Sequence, residues 1–343
     1  MVAKKTKILI TGGAGYIGSH TIKELQKAGY DNLTVVDDLS AGYAERVPEN
    51  VKFIKGDFAD KKILEKIFKE EYGAVIHFAA SKIAPESVTD PGKYYENNVA
   101  KSIEFLNKCV DRGVKDFIFS SSAAVYGDVS DFPITEEFVT QPTNPYGWSK
   151  LMFEQVLADF AAAGKINYVA LRYFNVGGAD PETELGNNHQ KGEDVISVLM
   201  RAAKSGKTFT IFGNNYDTKD GSGVRDMIHV SDLAAAHLKA LEYLDKDGGS
   251  TAVNLGSEAG FTVFEMAEIA KKVTGSSFEI VWGPRRDGDI AISVASSGKA
   301  RTLLGWERKY SDIETIIRTA WEWERKTTTA KKYLLFCDII FQG

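Results

Sequence analysis

The stretch KILITGGAGYIG, residues 7–18, decides the fold. Its apolar run Lys7 to Thr11 enters a loop with glycines at 12, 13, 15 and 18, which is typical of a strand, a tight turn and a helix start. Small residues let the backbone approach a ligand, and free N–H groups at a helix N-terminus attract a pyrophosphate. The stretch therefore predicts a dinucleotide-binding loop, against the alternative of a purely structural turn.

The next apolar run, Leu33 to Asp37, supports this interpretation. It ends in an acid about 20 residues after the loop, where a carboxylate can accept hydrogen bonds from both ribose hydroxyls. The residues between the two runs have helical period and stop at Gly29, so the three elements form a right-handed βαβ unit. Because Asp38 follows Asp37, a 2′-phosphate would meet two negative charges, which favours NAD over NADP.

Length and composition limit the possible classes. A chain of 343 residues exceeds the usual size of one compact core, so we expect a large domain and a smaller one. With 43% hydrophobic residues, 26% charged residues and a net charge of −5, the composition is globular and lacks the basic excess that binds nucleic acid. We therefore expect no nucleic-acid partner.

Targeting and metal signals are absent from the sequence. The N-terminal MVAKKTK precedes an apolar run that Thr11 and Gly12 break at once, so we expect no secretory signal. No apolar run is long enough to span a membrane. Cys109 and Cys337 lie far apart, and neither they nor the histidines have metal-ligand spacing. We expect a cytoplasmic protein without membrane contact and without a metal site.

Two further strands end in residues that suit a cofactor. The strand Val51 to Ile54 is followed by Asp57, which either meets the adenine edge or is a solvated acid. The strand Ala74 to Phe78 is followed by small residues that let the backbone pass close to a cofactor. Lys82 lies just beyond, and its position after a strand end favours a role toward the cofactor over a surface role.

A helix and a fifth strand follow. Apolar residues at spacings of three and four predict a helix from Pro91 to Arg112. It contains Asn97 and Asn98, which are either solvated or, if buried, bonded to a neighbouring strand or to the nicotinamide side of a site. The strand Asp116 to Phe119 ends in three serines, 120–122. Ligands of an open α/β sheet lie beyond this edge, so we expect a substrate contact there.

The predicted chemistry centres on PTNPYGWSK, residues 142–150. Pro145 suits the first turn of a helix, which places Tyr146 and Lys150 on one face. A free tyrosine has a pKa of about 10, and an adjacent ammonium favours its phenolate in a desolvated site. Ser122 can bond the same substrate oxygen, which completes a candidate acid–base site. Such a pair is common on surface helices, and the five preceding strands give it weight.

These motifs together resemble the extended short-chain dehydrogenases/reductases, and more narrowly the UDP-glucose (UDP-galactose) 4-epimerases. The resemblance rests on TGGAGYIGSH, HFAA, the serine strand with VYGD, YGWSK, LRYFN and GVRDMIHVSDL. It implies an α/β fold, with a Rossmann-type doubly wound parallel sheet and a smaller α/β substrate-binding domain. It also implies that Ser122, Tyr146 and Lys150 are the catalytic residues.

The resemblance further implies NAD as cofactor and a UDP-sugar as substrate, and we expect a homodimer. Asp38 stands where the family commonly has asparagine. The implied cofactor contacts are Gly12, Gly15, Tyr16, Ile17, Gly18, Asp37, Asp38, Asp57, Phe78, Ala79, Ala80, Lys82, Asn97, Tyr146, Lys150 and Phe174. The implied substrate contacts are Ser122, Asn175, Thr210, Phe212, Arg225, Arg286, Asp289 and Ser293.

The second half of the chain carries the expected substrate side. A helix from Leu151 to Ala163 and a strand from Tyr168 to Arg172 lead to Asn175. The stretch Thr210 to Gly213 matches the family's uracil-binding edge. The acidic stretch 180–194 matches the family poorly, and no role is assigned to its residues.

Two arginines are candidates for binding a diphosphate. Arg225 and Arg286 each carry a guanidinium group, which can bind phosphate oxygens through two parallel hydrogen bonds. The alternative is that they are solvated or paired with Asp226 and Asp289.

The expected domain division is discontinuous. Residues 1–175 form the NAD-binding domain, to which a later segment, about 226–256, returns. Residues 176–326 mainly form the nucleotide-sugar-binding domain and include an amphipathic helix, Asp312 to Lys326. Residues 327–343 are a tail whose origin the sequence leaves open.

The implied reaction is a 4-epimerisation. Tyr146 removes the proton of the sugar 4-hydroxyl while the C4 hydride passes to NAD, and the 4-keto sugar turns and takes the hydride on its other face. Ser293 stands where the family has either tyrosine or a small residue. Its small side chain frees room for an N-acetyl group, unless it is only a loop residue, so UDP-GlcNAc and UDP-GalNAc are expected as further substrates.

Two other functions are weighed against this one. A nucleotide-sugar 4,6-dehydratase carries an Asp-Glu acid pair after the strand-end hydroxyl, and here Ala123 and Ala124 stand instead. A catalytically idle NAD-binding regulator would keep the glycine loop but need not keep Tyr146, Lys150 and both arginine sites. Both comparisons favour the epimerase.

Overall fold

The computed structural model describes residues 6–129, 131–189, 194–286 and 289–340, with side chains as far as residue 327. The expectation about a secretory signal concerns residues 1–5, which lie outside the described part, as do the side chain of Cys337 and residues 341–343. The strands, in chain order, are β1 (Ile8–Thr11), β2 (Leu33–Asp37), β3 (Lys52–Lys55), β4 (Ala74–His77), β5 (Asp116–Ser122), β6 (Asn167–Tyr173), β7 (Asn175–Gly177), β8 (Phe209–Phe212), β9 (Val224–His229), β10 (Thr251–Leu255), β11 (Gly260–Thr262), β12 (Ile280–Gly283) and β13 (Ile292–Ser293).

The helices alternate with the strands through most of the chain. Short 3-10 turns at Ala44–Arg46 and Ala123–Val125 follow β2 and β5. The α-helices are α1 (Tyr16–Lys27), α2 (Lys61–Ile67), α3 (Ala84–Thr89), α4 (Pro91–Tyr95), α5 (Lys101–Asp111), α6 (Pro145–Ala162), α7 (Val195–Ser205), α8 (Val230–Leu244), α9 (Val263–Thr274), α10 (Gly298–Leu304) and α11 (Ile313–Ile340).

The largest sheet is parallel throughout, with strand order β10-β6-β5-β4-β1-β2-β3. The chain builds outward from β1 through β2 to β3, and then returns to place β4 on the other side of β1. In sheets of this kind the ligand lies beyond the carboxyl ends of the strands, where the order reverses. The predicted Rossmann-type doubly wound sheet is confirmed.

Both faces of this sheet are covered, which explains the continuous apolar runs in the sequence. In β1, Ile8 and Ile10 belong to one core cluster and Leu9 to the other, and none of the three is exposed. Side chains alternate between the two faces of a strand, so a strand with helices on both sides is apolar at every position. Helices α1, α8 and α10 cover one face, and α2, α5 and α6 cover the other.

A smaller group of strands forms from the second half of the chain. Strand β9 pairs with β7, β11 and β13, and β8 pairs with β12. Helices α7, α9 and α11 pack around a separate apolar core that includes Ile211, Met227 and Ile316. Because β7 follows directly on β6, this group begins at the carboxyl edge of the large sheet, beside the ligand crevice.

The helix predicted from Pro91 to Arg112 is interrupted. A π-helical segment, Glu96–Ala100, separates α4 from α5. Such a segment shifts the phase of the helix, and here it brings Asn98 into the interior while Asn97 stays half-buried. The helical period of the apolar residues does not reveal this change.

Of the stretch 180–194, to which the sequence assigned no role, residues 190–193 lie outside the described part, and residues 180–189 continue from 178–179 as a strap, residues 178–189, that crosses to the first βαβ unit. The Tyr16 hydroxyl donates to the carbonyl oxygen of Gly178 at 2.6 Å, and the Arg46 guanidinium donates to that of Gly186 at 2.7 Å. The acidic character of the strap is explained by Lys23, whose ammonium lies 2.7 Å from three strap carboxylates. These are the carboxylates of Asp180, Glu182 and Glu184.

The last helix runs from Ile313 to Ile340 and therefore includes most of the predicted tail. The sequence placed the end of the amphipathic helix at Lys326, and the helical backbone continues past that residue. Of the helices in the described part of the chain, none has the length and apolarity needed to cross a membrane.

Candidate active site

The loop after β1 is more crowded at Gly12 and Gly18 than at Gly15. A β-carbon on Gly12, whose φ is +71°, would lie 2.7 Å from the backbone nitrogen of Ala79. A β-carbon on Gly18 would lie 2.5 Å from the Gly12 carbonyl oxygen. At Gly15 the same oxygen, at 3.1 Å, is the nearest obstacle, and α1 begins at Tyr16 without a side-chain cap. The loop thus forms a cradle with helix N–H groups available, which fits a pyrophosphate.

Asp37 lies at the end of β2 beside this cradle. Its carboxylate accepts hydrogen bonds from the backbone nitrogens of Ala14 at 3.0 Å and Leu39 at 2.8 Å, while burial raises its pKa. Each carboxylate oxygen has a second lone pair, which suits the ribose hydroxyls of a dinucleotide. Asp38 is exposed and accepts from Ser40. Two neighbouring acids disfavour a 2′-phosphate, so the chemistry of this edge fits NAD.

The other predicted cofactor contacts differ in what they offer. Asp57 accepts a hydrogen bond from the Lys101 ammonium at 2.6 Å, so it is neither free nor simply solvated. The Phe78 ring packs on His237 at 4.7 Å between centroids, which leaves its backbone to face Gly12. Lys82 is exposed. Of the rest, Ile17 packs on the sheet core, and Ala79 and Ala80 are partly buried. Phe174 is buried and lines the cavity described below.

Asn98, which the sequence left with two alternatives, is a buried anchor. Its side chain accepts from the Ser81 nitrogen at 2.8 Å and donates to the Ser81 carbonyl oxygen at 2.9 Å. It also donates to the Ser149 hydroxyl at 3.0 Å. These bonds tie the segment after β4 to α6. The predicted contact Asn97 makes a longer hydrogen bond to the Ser81 hydroxyl, at 3.4 Å.

The predicted catalytic residues come together at the carboxyl edge of β5. Ser122 is the last residue of β5, and Tyr146 and Lys150 lie on the first turns of α6. That helix begins at Pro145, as predicted, and the Asn144 side chain caps it. The Lys150 ammonium donates to the Ser120 carbonyl oxygen at 2.8 Å, which fixes α6 against the strand.

The electrostatics of this trio depend on burial and on the place of the ammonium. The Lys150 ammonium is bonded to the Ser120 carbonyl oxygen and lies 5.9 Å from the centre of the Tyr146 ring, so it can act on the phenol as a nearby charge. Burial raises the pKa of Tyr146, and the hydrogen bond with Ser122 lowers it. Burial lowers the pKa of Lys150 to about 7. The phenol is therefore neutral, and the ammonium is close to losing its proton.

A cavity of about 200 Å³ opens beside Ser122. It brings together the predicted substrate contacts Asn175, Arg225, Asp289 and Ser293, of which Ser293 is buried. Small side chains line much of its wall. The full lining is Ser122, Ala123, Ala124, Gly127, Thr143, Asn144, Tyr173, Phe174, Asn175, Arg225, Asp289, Ile290 and Ser293.

Arg225 is not paired with its chain neighbour. Asp226 is buried and accepts from the backbone nitrogens of Ser257 at 2.6 Å and Ala295 at 3.0 Å, so it serves the backbone. The Arg225 guanidinium donates to the carbonyl oxygen of Val224 at 2.9 Å. Arg225 also lines the cavity, where its other N–H groups can bind a ligand. The predicted alternative of an Arg225–Asp226 pair is therefore wrong.

A second group of predicted contacts lies around β8. The Arg286 guanidinium stacks on the Phe212 ring at 3.8 Å and lies 4.0 Å from Asp289, a contact at the limit of an ion pair. Thr210 shares the face of Phe212, because the two are separated by one residue of the strand. Asp289 also lines the cavity, so it joins the two groups.

Tyr173 is a residue of the site that sequence reasoning missed. It lines the cavity, and its hydroxyl is hydrogen-bonded to the Ser120 hydroxyl. Burial raises its pKa, so the hydroxyl is neutral. The signal was present in the sequence, since Tyr173 is the last residue of a strand that neighbours β5.

The comparisons with known proteins agree with this geometry. A family model described as the NAD dependent epimerase/dehydratase family matches residues 8–256. The UDP-glucose 4-epimerase of Lactobacillus helveticus is 46% identical, over 93% of this chain and 97% of its own length.

Two solved structures are similar over nearly the whole chain. The UDP-glucose-4-epimerase of Stenotrophomonas maltophila, with bound NAD and formylated UDP-arabinopyranose, is 37% identical with a TM-score of 0.90, over 95% of this chain and 99% of that one. The UDP-Glc/GlcNAc 4-epimerase of Campylobacter jejuni is 41% identical with a TM-score of 0.81, over 94% of this chain and 99% of that one.

The cradle predicts opposite outcomes for two glycine substitutions. Gly15→Ala should fold, because only one oxygen needs to yield slightly, but its methyl group would enter the cradle and weaken NAD binding by about tenfold or more, ~1.4 kcal/mol. NAD bound per chain after dialysis measures this effect. Gly92→Ala, at an exposed position with 3.9 Å to the nearest atom, is the control. Equal NAD content in both variants would contradict the assignment of the cradle.

Proposed function

The chain belongs to the NAD dependent epimerase/dehydratase family, and we propose that it catalyses the 4-epimerisation of UDP-hexoses, UDP-glucose and UDP-galactose. The observation that carries the proposal is the meeting of Ser122, Tyr146 and Lys150 at the carboxyl edge of the sheet that also carries the dinucleotide cradle, with Ser122 lining a cavity there. Relatives named UDP-glucose 4-epimerase cover nearly the whole chain and support it. NAD is the cofactor.

Residues of the crevice would hold the cofactor. We propose that the N–H groups at the start of α1 bind the pyrophosphate, that Asp37 binds the adenosine ribose, and that Lys150 and Tyr146 lie at the nicotinamide end. When bound, NAD accepts a hydride from the sugar C4 and returns it. The separation of these groups along the carboxyl edge of one sheet sets the direction of the dinucleotide.

Tyr146 moves the proton in this proposal. Its hydroxyl oxygen takes the proton of the sugar 4-hydroxyl when C4 is oxidised and gives it back when C4 is reduced. The raised pKa of Tyr146 makes the phenolate costly, so a positive charge must be close to it. Lys150 supplies that charge, and the Ser122 hydroxyl shares a hydrogen bond that steadies the oxygen during the transfer.

The rest of the cavity suits a sugar that turns between two half-reactions. We propose that Asn175, Arg225 and Arg286 hold the UDP portion, so that affinity comes mainly from the nucleotide. Ala123 and Ala124 offer no acidic side chain for elimination of water, which disfavours a 4,6-dehydratase. The complete catalytic set disfavours a non-catalytic NAD-binding regulator.

The role of Tyr146 predicts the effect of one substitution. Tyr146→Phe keeps the ring and removes the oxygen, so turnover of UDP-galactose to UDP-glucose should fall by about 10²- to 10⁴-fold with little change in UDP-galactose affinity. Product analysis measures turnover, and absorbance at 340 nm should stay flat because the wild-type reaction is redox-neutral. Tyr310→Phe, outside the cavity, is the control. Wild-type turnover in Tyr146→Phe would remove its assigned role, and NADH growing with product would indicate a dehydrogenase.

We further propose that the substrate range includes the N-acetylated UDP-hexoses, UDP-GlcNAc and UDP-GalNAc. Ser293, on β13, lines the cavity with a small, buried side chain. Strand β13 pairs with β9, and Ser293 lies opposite Arg225 in this pairing. A tyrosine there would occupy the space that an N-acetyl group needs. A similar structure is named UDP-Glc/GlcNAc 4-epimerase, which supports this range.

Ser293→Tyr tests the range directly. We expect it to lower kcat/KM for UDP-GlcNAc by about 10- to 100-fold while changing kcat/KM for UDP-galactose much less. The reason is that the tyrosine ring would fill the space of the N-acetyl group, and loss of space for one small substituent typically changes kcat/KM by this amount. Ser293→Ala, which removes the hydroxyl and leaves the volume, should keep both activities. If the wild type rejects UDP-GlcNAc, or Ser293→Tyr accepts it equally well, the proposal about Ser293 is wrong.

Three further points belong to the proposal. A homodimer is supported by Trp148 and Met152, which lie four residues apart on α6 and remain exposed at 38% and 42%.

A cytoplasmic location is supported by Cys109, a buried free thiol. We propose that residues 1–175 form the NAD-binding domain and that residues 176–326 mainly form the nucleotide-sugar-binding domain. The segment of about 226–256 returns to the NAD-binding domain, because β10, at 251–255, joins the large sheet.

A further inference from the structure

A buried ion pair lies directly behind the proposed catalytic residues. Glu154 and Arg172 are 6% and 8% exposed, and the guanidinium meets the carboxylate through Nε at 3.0 Å and Nη2 at 2.6 Å. Glu154 lies one helical turn beyond Lys150 on α6, on the same face. A buried pair of charges is costly to desolvate, so its place beside a reactive lysine calls for an explanation.

The pair also holds the strand end that carries Ser122. The Ser121 hydroxyl donates to Oε1 of Glu154. On the opposite edge, the Arg172 guanidinium donates to the Tyr126 hydroxyl at 2.9 Å, and that hydroxyl donates to Asn254 at 2.7 Å. Glu154 thereby contacts β5 and β6, while Tyr126 extends the network to β10.

The surroundings of Lys150 leave its charge with little support. The side chain is 3% exposed, its ammonium donates to the Ser120 carbonyl oxygen, and it lies 4.9 Å from the centre of the Phe119 ring. Burial lowers its pKa, and the negative charge of Glu154 raises it. A carbonyl dipole and a ring face help a buried cation less than a carboxylate does.

The other titratable or charged side chains around Lys150, within the described residues, do not supply this negative charge. His77 on β4 is neutral, because burial lowers its pKa to about 3. Tyr146 on α6 and Tyr173 on β6 are neutral, because burial raises their pKa values. Arg172 on β6 is positive and is bonded to Glu154.

We propose that Glu154 is a positioning residue for the reaction, which supplies the buried negative charge that stabilises the Lys150 ammonium and, through Ser121, fixes the strand end that presents Ser122. The inference rests on the proposed epimerase function. Glu154 does not touch the reacting atoms and acts through Lys150 and Ser121.

The test measures the pH profile of kcat in NAD-loaded enzyme with UDP-galactose as substrate, from about pH 5 to about pH 9. The cationic form of Lys150 is the active one, so activity falls as pH rises through its pKa. In Glu154→Gln that fall should move to lower pH by about one unit, and kcat near pH 8 should drop by about tenfold, while KM changes less than about threefold. Glu154→Asp, which keeps the charge, should restore most of the wild-type profile.

Tyr126→Phe is the matched control. It removes a buried hydrogen bond from the same network on the far side of Arg172, and leaves the charge of Glu154 in place. A purely structural role predicts similar losses in Tyr126→Phe and Glu154→Gln without a shift of either profile. The proposed role predicts a shifted profile in Glu154→Gln alone.

Glu154→Gln leaves Arg172 buried and unpaired, and this variant could fold poorly. The double substitution Glu154→Met with Arg172→Met removes both charges and keeps the volume, and its profile should shift in the same direction. An unshifted profile in whichever of these variants folds overturns the proposal. A wild-type enzyme that does not epimerise UDP-galactose refutes the proposed function itself, which separates the two failures.

Discussion

The close approach of three backbone segments at the end of β1 is the constraint on which the site depends. Gly12 lies so near Ala79 and Gly18 that a β-carbon at Gly12 or Gly18 would come within 3 Å of backbone atoms. This contact joins the loops after β1 and β4 where the strand order reverses, and aims the start of α1 into the crevice. The crevice and the strand ends that carry the proposed chemistry therefore depend on the close packing of Gly12 against Ala79 and Gly18.

Much of this arrangement could be predicted, because it is encoded in short stretches with a physical period. Strand β2 has the predicted bounds, Leu33 to Asp37, and β1 and β4 differ by one residue at one end. Continuous apolar runs of four or five residues identify buried parallel strands. Strand β5 is longer than predicted, because the three serines after Phe119 remain in the ladder with β6. The sequence prediction ended the strand where the apolar run ends, and the pairing of the polar serines with β6 is visible only in the structure.

The rest depends on contacts between distant residues, which no local pattern records. The π segment brings Asn98 into the interior, where its amide bonds Ser81 and Ser149, 17 and 51 residues away. The acidic strap is explained by Lys23, more than 150 residues earlier in the chain. Asp226 follows a predicted phosphate-binding arginine, and it serves the backbone of two loops instead. In each case the residue type was visible and the partner was not.

The two ends of the site follow opposite physical rules, and the proposed reaction needs both. At the reacting end, Lys150 and Tyr146 are held by buried hydrogen bonds, because proton transfer requires heavy atoms fixed within hydrogen-bond distance. At the sugar end, Ala123, Ala124 and Ser293 line the wall with small side chains. A sugar that must present both faces of C4 cannot be fixed by directional bonds of its own. Its affinity must then come from the nucleotide, and the rigidity that catalysis requires must be supplied by the protein.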